Sequence, residues 1–205
     1  MKLSKRIFDI VGSGAGLLML WPALVVIALL VKLDGGPALF RQTRIGRGGR
    51  PFQILKFRTM VVGAERLGPQ ITSHGDPRVT AVGAWLRRTK LDELPQLINV
   101  LRGDMSLVGP RPEVSRYVDR YTPQQRRVLE VMPGLTDPAS LRYIDEGALL
   151  AAASDPEQFY VGELMPAKIR LNLEYAESAT VASDFGVILR TIGVISRQNG
   201  TPHGA

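Results

Sequence analysis

Arg87-Arg-Thr-Lys-Leu-Asp-Glu-Leu-Pro-Gln-Leu-Ile-Asn-Val-Leu-Arg-Gly-Asp-Met-Ser-Leu-Val-Gly-Pro-Arg-Pro-Glu113 is the stretch on which the fold turns. Leu94, Leu97, Ile98 and Leu101 fall at i, i+3, i+4 and i+7, the spacing of one apolar helix face, and Gly103 supplies a stop. Pro95 cannot donate a backbone hydrogen bond, so it belongs in a first turn and the helix begins near Asp92. Asp92 and Glu93 therefore stand at a helix N-terminus. There the helix dipole and the bases Arg87, Arg88 and Lys90 favour ionised carboxylates. Adjacent acids in that place serve equally as a nucleophile beside a metal ligand or as a cap beside a solvated charge, and position alone leaves both open.

Working outward, Val108-Gly-Pro-Arg-Pro112 is predicted to be rigid and extended, because two prolines restrict their own φ and the residues before them. Such a segment aims Arg111, either at a phosphate in a bidentate contact or at a structural carboxylate. On the other side, Ala38 to Met60 forms two short strands joined by a Gly/Arg loop, with Phe52 and Ile54 alternating against Gln53. Lys56 and Arg58 alternate with Leu55 and Phe57, so both are expected on one strand face, as a diphosphate clamp or a solvated surface. The loop glycines Gly46, Gly48 and Gly49 beside Arg44, Arg47 and Arg50 match no phosphate-loop fingerprint. A hairpin turn leaning on lipid headgroups is the expectation there. Val79, Val82, Trp85 and Leu86 have helical spacing and are expected in the core. Ser115 to Val131 is expected as helix that partly buries Tyr117, Val118, Tyr121, Val128 and Leu129.

The N-terminus is a membrane segment. From Ile10 to Val31, 22 residues, no side chain is charged. As helix this would extend about 33 Å, enough to cross a hydrocarbon core. The run is too long for a signal-peptide core, and no small-residue cleavage site follows. Bases flank both ends, Lys2, Lys5 and Arg6 before and Lys32, Arg41 and Arg44 after, so both ends are drawn to the cytoplasm. Pro22 sits at the midpoint. The residues allow a proline-kinked spanning helix or a helix broken at Trp21-Pro22 that enters and leaves by one face.

Composition bounds the rest. A chain of 205 residues suits one compact domain with a short appendage. Cysteine is absent, which removes disulfides and thiolate metal sites. His74 and His203 stand alone in Gly/Pro-bearing surroundings and are expected to be solvated loop residues. Residues 1 to 60 hold ten bases and two acids, a charge of +8, against +7 for the whole chain, so the remainder is −1. A basic patch beside an apolar stretch suits an anionic membrane face or phosphate-bearing substrates. No nucleic-acid-binding motif accompanies it, and nucleic acid is excluded as a partner. Lys168 to Glu177 and Asp184 to Ile195 are expected helices, and 198–205 a disordered tail.

Leu91-Asp-Glu-Leu-Pro-Gln-Leu, Asn99 to Glu113 and Lys56-Phe-Arg-Thr-Met60 closely resemble the bacterial sugar transferases, monotopic polyprenol-phosphate phosphoglycosyl transferases. The resemblance is near-continuous from Lys5 to Pro112 and weakens after Gly134. It implies a mostly α fold with a small β-hairpin (α+β). Residues 1–33 would be a re-entrant helix-break-helix packed on a compact cytoplasmic catalytic domain, 34–197. The family often has Ser-Pro at the break where this chain has Trp21-Pro22.

The activity implied is transfer of a sugar 1-phosphate from a UDP-sugar to polyprenol phosphate, undecaprenyl phosphate in bacteria. UMP is released at the cytoplasmic face of the inner membrane, as the initiating step of polysaccharide or glycoconjugate assembly. By resemblance, Asp92 is the nucleophile and forms a covalent phosphosugar, Glu93 holds Mg²⁺, and Lys56, Arg58, Arg87 and Arg111 bind phosphates. The implied partners are UDP-sugar, polyprenol phosphate and membrane lipid, and a homo-oligomer is compatible with them. The alternative is a non-catalytic membrane adaptor of the same fold that binds anionic lipid or a partner protein. After Met132-Pro-Gly-Leu-Thr136 many members continue Gly-Trp-Ala-Gln-Val-Asn-Gly-Arg. This chain has Asp137-Pro-Ala-Ser-Leu-Arg-Tyr-Ile-Asp145, an expected sugar-facing segment, so sugar specificity does not carry over.

Overall fold

The computed structural model describes residues 2–67 and 75–200, so His74, His203 and the tail beyond 200 lie outside the described residues. Helix α1 (Leu3–Leu33) takes up the apolar run whole, with Pro22 inside it. The expected break at Trp21-Pro22 is thus not a break in the helix. One proline removes a single backbone bond, and bonding on either side carries the helix through. Asp9, Ser13, Ile27 and Val31 are the buried residues of α1, while Leu18, Met19, Trp21, Val25 and Val26 stay exposed.

The expected hairpin follows. Strand β1 (Leu39–Ile45) pairs antiparallel with β2 (Pro51–Phe57), Leu39 opposite Phe57 and Ile45 opposite Pro51. Helix α2 (Ala81–Thr89) is capped by the Thr80 hydroxyl, which accepts from the Gly83 amide. A Cβ on Gly83 would stand 2.0 Å from the Thr59 carbonyl oxygen, so only glycine lets α2 lie directly on the chain leaving β2. Leu86 is fully buried here, but Trp85 is 40% exposed, against expectation. The helix starts only at Ala81, Val79 sits before it in a bridge to Met60, and the inward stripe becomes Val82 and Leu86.

Lys90, with φ 56°, closes α2 in the left-handed region. A 3₁₀ turn, Leu91–Glu93, leads through Pro95 into α3 (Gln96–Arg102), which Gly103 ends at φ 90°. The helix thus begins four residues later than expected: Pro95 is its N-cap, and both acids lie in the 3₁₀ turn that precedes it. Strand β3 (Ser106–Val108) then pairs in parallel with β4 (Gly134–Thr136), a second two-stranded element beyond the one expected. Glycine at 134 is required because a Cβ there would stand 2.1 Å from the Gly109 amide nitrogen.

Between those strands the expected helix over 115–131 is three pieces: α4 (Ser115–Val118), α5 (Pro123–Arg126) and a 3₁₀ turn, Arg127–Glu130. Pro123 enforces the interruption, since it fits only at a helix start, where Thr122 and Gln125 form a capping box. Tyr117, Val118, Tyr121 and Val128 are nevertheless buried. The remaining helices are α6 (Pro138–Arg142), α7 (Glu146–Ala152), α8 (Pro156–Phe159), α9 (Met165–Ser178) and α10 (Val181–Gly200). A π-helical stretch, Tyr160–Leu164, joins α8 to α9.

Among the described residues, three apolar clusters hold these elements. One gathers Tyr117, Tyr121, Val128, Tyr160 and Ile169. A second gathers Ile54, Leu97, Val100, Met105 and Val108, and α1 adds Phe8 and Leu17 to it. The third joins Ile27 and Val31 of α1 to Phe57 and Leu86. Among the described residues the fold is mostly helical with two small sheets, and α1 belongs to two of its cores.

Candidate active site

The site forms where β2, the 3₁₀ turn before α3 and the segment after β3 converge. Asn99 makes the first connection. Its side chain accepts from the Leu55 amide at 3.0 Å and donates to the Gln53 carbonyl at 2.7 Å, binding α3 to the free edge of β2. That registers Lys56 against Glu93, and Lys56 Nζ donates to Glu93 Oε1 at 2.9 Å. Arg111 reaches the same carboxylate as a fork, with Nη1 on Oε2 at 3.1 Å and Nη2 on Oε1. Two bases from distant parts of the chain thus meet on one acid.

Asp92 is in the opposite condition. It is 8% exposed, and its Oδ1 is buried without a hydrogen-bond partner. Burial, then the charge of Glu93, push its pKa above the ordinary 3.8, and Lys56, Lys90 and Arg111 offset only part of this. Burial also pushes Glu93 up, but Arg111 and Lys56 outweigh it and hold that carboxyl well below the usual range. Burial lowers Lys56 against the pull of Glu93, and Glu93 raises Arg111 against burial. Neighbouring acids whose pKa values are driven apart are suited to separate tasks.

The other predicted bases divide. Arg87 Nε donates to Thr59 Oγ1 at 2.8 Å, and its charge lies near Asp92, which counters the lowering that burial causes. Arg58 does not join the cluster. It lies one residue past the end of β2, where the strand alternation no longer governs it. Its nitrogens donate to the carbonyls of Pro37 at 2.9 Å, Val31 at 2.8 Å and Met60 at 3.4 Å. Arg44 and Arg47, expected among lipid headgroups, instead donate to the carbonyls of Pro112 at 3.1 Å and Glu130 at 3.0 Å. Arg44 also faces Glu113 at 3.6 Å, and Tyr160 donates to Glu113, so the segment after Arg111 is braced from two sides. The divergent segment approaches too: Asp137 and Glu146 act on Arg111, and Lys168 donates to Glu146 at 2.7 Å.

The chain matches the family described as "Bacterial sugar transferase" over residues 1–198. The chain belongs to the bacterial sugar transferase family. Relatives in this family include the UDP-glucose:undecaprenyl-phosphate glucose-1-phosphate transferase of Caulobacter vibrioides, 42% identical over 196 residues, 93% of this chain and 68% of the relative. The Escherichia coli protein of the same description is 40% identical over 201 residues, 93% of this chain and 40% of the relative. A putative undecaprenyl-phosphate N-acetylgalactosaminyl 1-phosphate transferase of Bacillus subtilis is 42% identical over 149 residues, covering 70% and 79%. This family member therefore spans two fifths of some relatives and four fifths of others.

The divided pKa values give a stability test that needs no substrate. In metal-free protein, Asp92→Asn raises Tm at neutral pH. The folded pKa of Asp92 lies above its unfolded value, so ionisation there opposes folding, and the gain disappears as pH falls below the unfolded value. Glu93→Gln lowers Tm at neutral pH, by roughly the 3 kcal/mol that breaking a buried ion pair costs. This loss fades only as pH drops through the depressed folded value, below 4.5. Thermal melts of both variants across pH check the pair, and shifts of the same sign at neutral pH would contradict it.

Proposed function

We propose that this chain is a phosphoglycosyl transferase that moves a sugar 1-phosphate from a UDP-sugar to polyprenol phosphate, releasing UMP. The observation that carries the reading is the split pair. Asp92 is buried with one oxygen unpartnered, beside Glu93 tied to Lys56 and Arg111. The relatives' names, which specify undecaprenyl-phosphate sugar-phosphate transfer, support it.

In the first half-reaction an Asp92 carboxylate oxygen attacks the phosphorus that bears the sugar. The bond from that phosphorus to the bridging oxygen breaks, and UMP leaves with the oxygen. In the second, a polyprenol phosphate oxygen attacks the same phosphorus, the Asp92–phosphorus bond breaks, and the carboxylate is restored. Lys56 and Arg111 stand where they can exchange Glu93 for the incoming diphosphate, and Arg87 adds positive charge on the Asp92 side. Arg58 acts on phosphate only indirectly, by fastening the end of α1.

Magnesium suits the donors present. Hard oxygen ligands are what it takes, and Glu93 would hold it with the unpartnered Asp92 Oδ1 close by. When bound, it supplies neutralising charge to the diphosphate.

Helix α1 fits the membrane role, with only 11% of its most apolar window buried. Both of its ends pack on one domain: Arg6 bonds to α3, and Val31 accepts from Arg58. A spanning helix puts its ends about 30 Å apart on opposite sides of the hydrocarbon. That both ends bond to one domain supports a reading in which they share one side of the membrane, and the bases at both ends favour the cytoplasmic side. Helix α10 lies against α1 and exposes Phe185, Leu189 and Ile192 at i, i+4 and i+7, which continues the lipid-facing surface.

Purified protein in detergent, given polyprenol phosphate and Mg²⁺, should release UMP from at least one UDP-sugar in a panel, and EDTA should stop it. Absence of UMP from every donor would favour the adaptor. Arg111→Lys keeps the charge and loses the fork, and should cut turnover at least about tenfold, since charge-assisted contacts are worth about 1.5–3 kcal/mol. Unchanged kinetics would reduce Arg111 to a point charge. For topology, single cysteines placed at Lys2 and Arg41 should both react with an impermeant thiol reagent from the cytoplasmic side, whereas opposite-sided labelling would establish a span.

A further inference from the structure

The segment that carries Arg111 is held from behind by the membrane helix. Asp9 of α1 is wholly buried, and its Oδ1 accepts from the Leu107 amide at 2.9 Å and from Ser106 Oγ at 2.9 Å. One turn earlier, Lys5 donates to the Val108 carbonyl at 3.0 Å and to Asp184 of α10 at 2.5 Å. Arg6 donates to the Val100 and Leu101 carbonyls at 2.7 and 2.8 Å, at the end of α3.

Strand β3 bonds to its partner on one edge only. Ser106 N donates to the Pro133 carbonyl, and the Gly109 amide donates to Thr136. The Leu107 amide takes its acceptor from a side chain rather than from a strand. Asp9 supplies that acceptor. Four residues on comes Arg111, between two prolines that fix their own φ, so the backbone from Leu107 to Arg111 has little freedom to absorb a displacement. A carboxylate is an expensive way merely to fasten α1, since its Oδ2 is buried without a partner. The helix is already anchored by Phe8, Leu17, Ile27 and Val31. What Asp9 adds over an apolar residue is a directional acceptor for two donors of β3.

We propose that Asp9 is the positioning residue for Arg111: the membrane helix sets the place of the phosphate-binding arginine through the Asp9 bonds to Leu107 and Ser106. The role of Arg111 in this proposal rests on the transferase reading above.

The test uses the full chain in detergent, with Asp9→Ala removing the acceptor and Asp9→Asn keeping an oxygen in its place. Ser106→Ala, which removes one donor only, runs beside them in case Asp9→Ala does not fold. The first readout is amide hydrogen exchange, which requires no activity. Exchange over 106–112 should rise at least about tenfold in Asp9→Ala, and less in Ser106→Ala, with 117–128 unchanged and Asp9→Asn close to wild type. The second is a double-mutant cycle in kcat/KM for UMP release. Asp9→Ala should cost about tenfold or more in the wild-type background and under about threefold in Arg111→Lys, because the two act through one group. Unchanged exchange over 106–112 overturns the proposal, and so does an equal loss of kcat/KM in both backgrounds. A wild-type protein that releases no UMP sinks the transferase reading instead, and the exchange data still decide whether Asp9 holds the segment.

Discussion

A single carboxylate, that of Glu93, joins the three pieces of chain that make the site. Lys56 comes from the end of β2, Arg111 from beyond β3, and both donate to it. Without it two bases would face one another in a partly buried place, which is the arrangement that breaking such an ion pair leaves behind. Burial first, and then the charge of the neighbouring Glu93, give Asp92 its raised pKa, and one of its oxygens has no partner. In the proposed reaction a diphosphate arriving at Lys56 and Arg111 would replace one anion by another, so the positive groups would be in place before the substrate is.

That convergence depends on supports further out. Asn99 fixes β2 on α3, glycine at 83 lets α2 press on Thr59, and glycine at 134 lets β4 lie against Gly109. The membrane helix is one of these supports rather than an attached anchor, since it contributes to two apolar cores and bonds to α3, β3 and Arg58. The seating of α1 and the assembly of the site are therefore parts of one folding problem.

Much of this was legible in the residues. Pro95 and Gly103 delimit α3 from their backbone chemistry alone, and the alternation in β2 brought Lys56 to the site. Arg58 was misplaced because alternation holds only while a strand lasts, and β2 ends at Phe57. The long helix over 115–131 failed at Pro123, a residue whose preference for a first turn was available from the sequence. The β3–β4 pair was harder, because three-residue strands carry too few alternations to register as a pattern. Asn99 had a faint signal, as a polar residue one place from the apolar stripe of α3, yet nothing local says which backbone it meets. Asp9 was hidden for the same reason, since its partners lie about a hundred residues away.

In the proposed transferase Asp92 is the nucleophile and Glu93 its cation-holding neighbour. The most direct measurement is the intact mass of the protein after incubation with its UDP-sugar and Mg²⁺ in the absence of polyprenol phosphate. At most about one UMP should be released per site, with a mass gain of one phosphosugar on the peptide bearing Asp92 that Asp92→Asn abolishes. An unmodified mass, with UMP release strictly dependent on the acceptor, would contradict it and make Asp92 a general base for direct transfer.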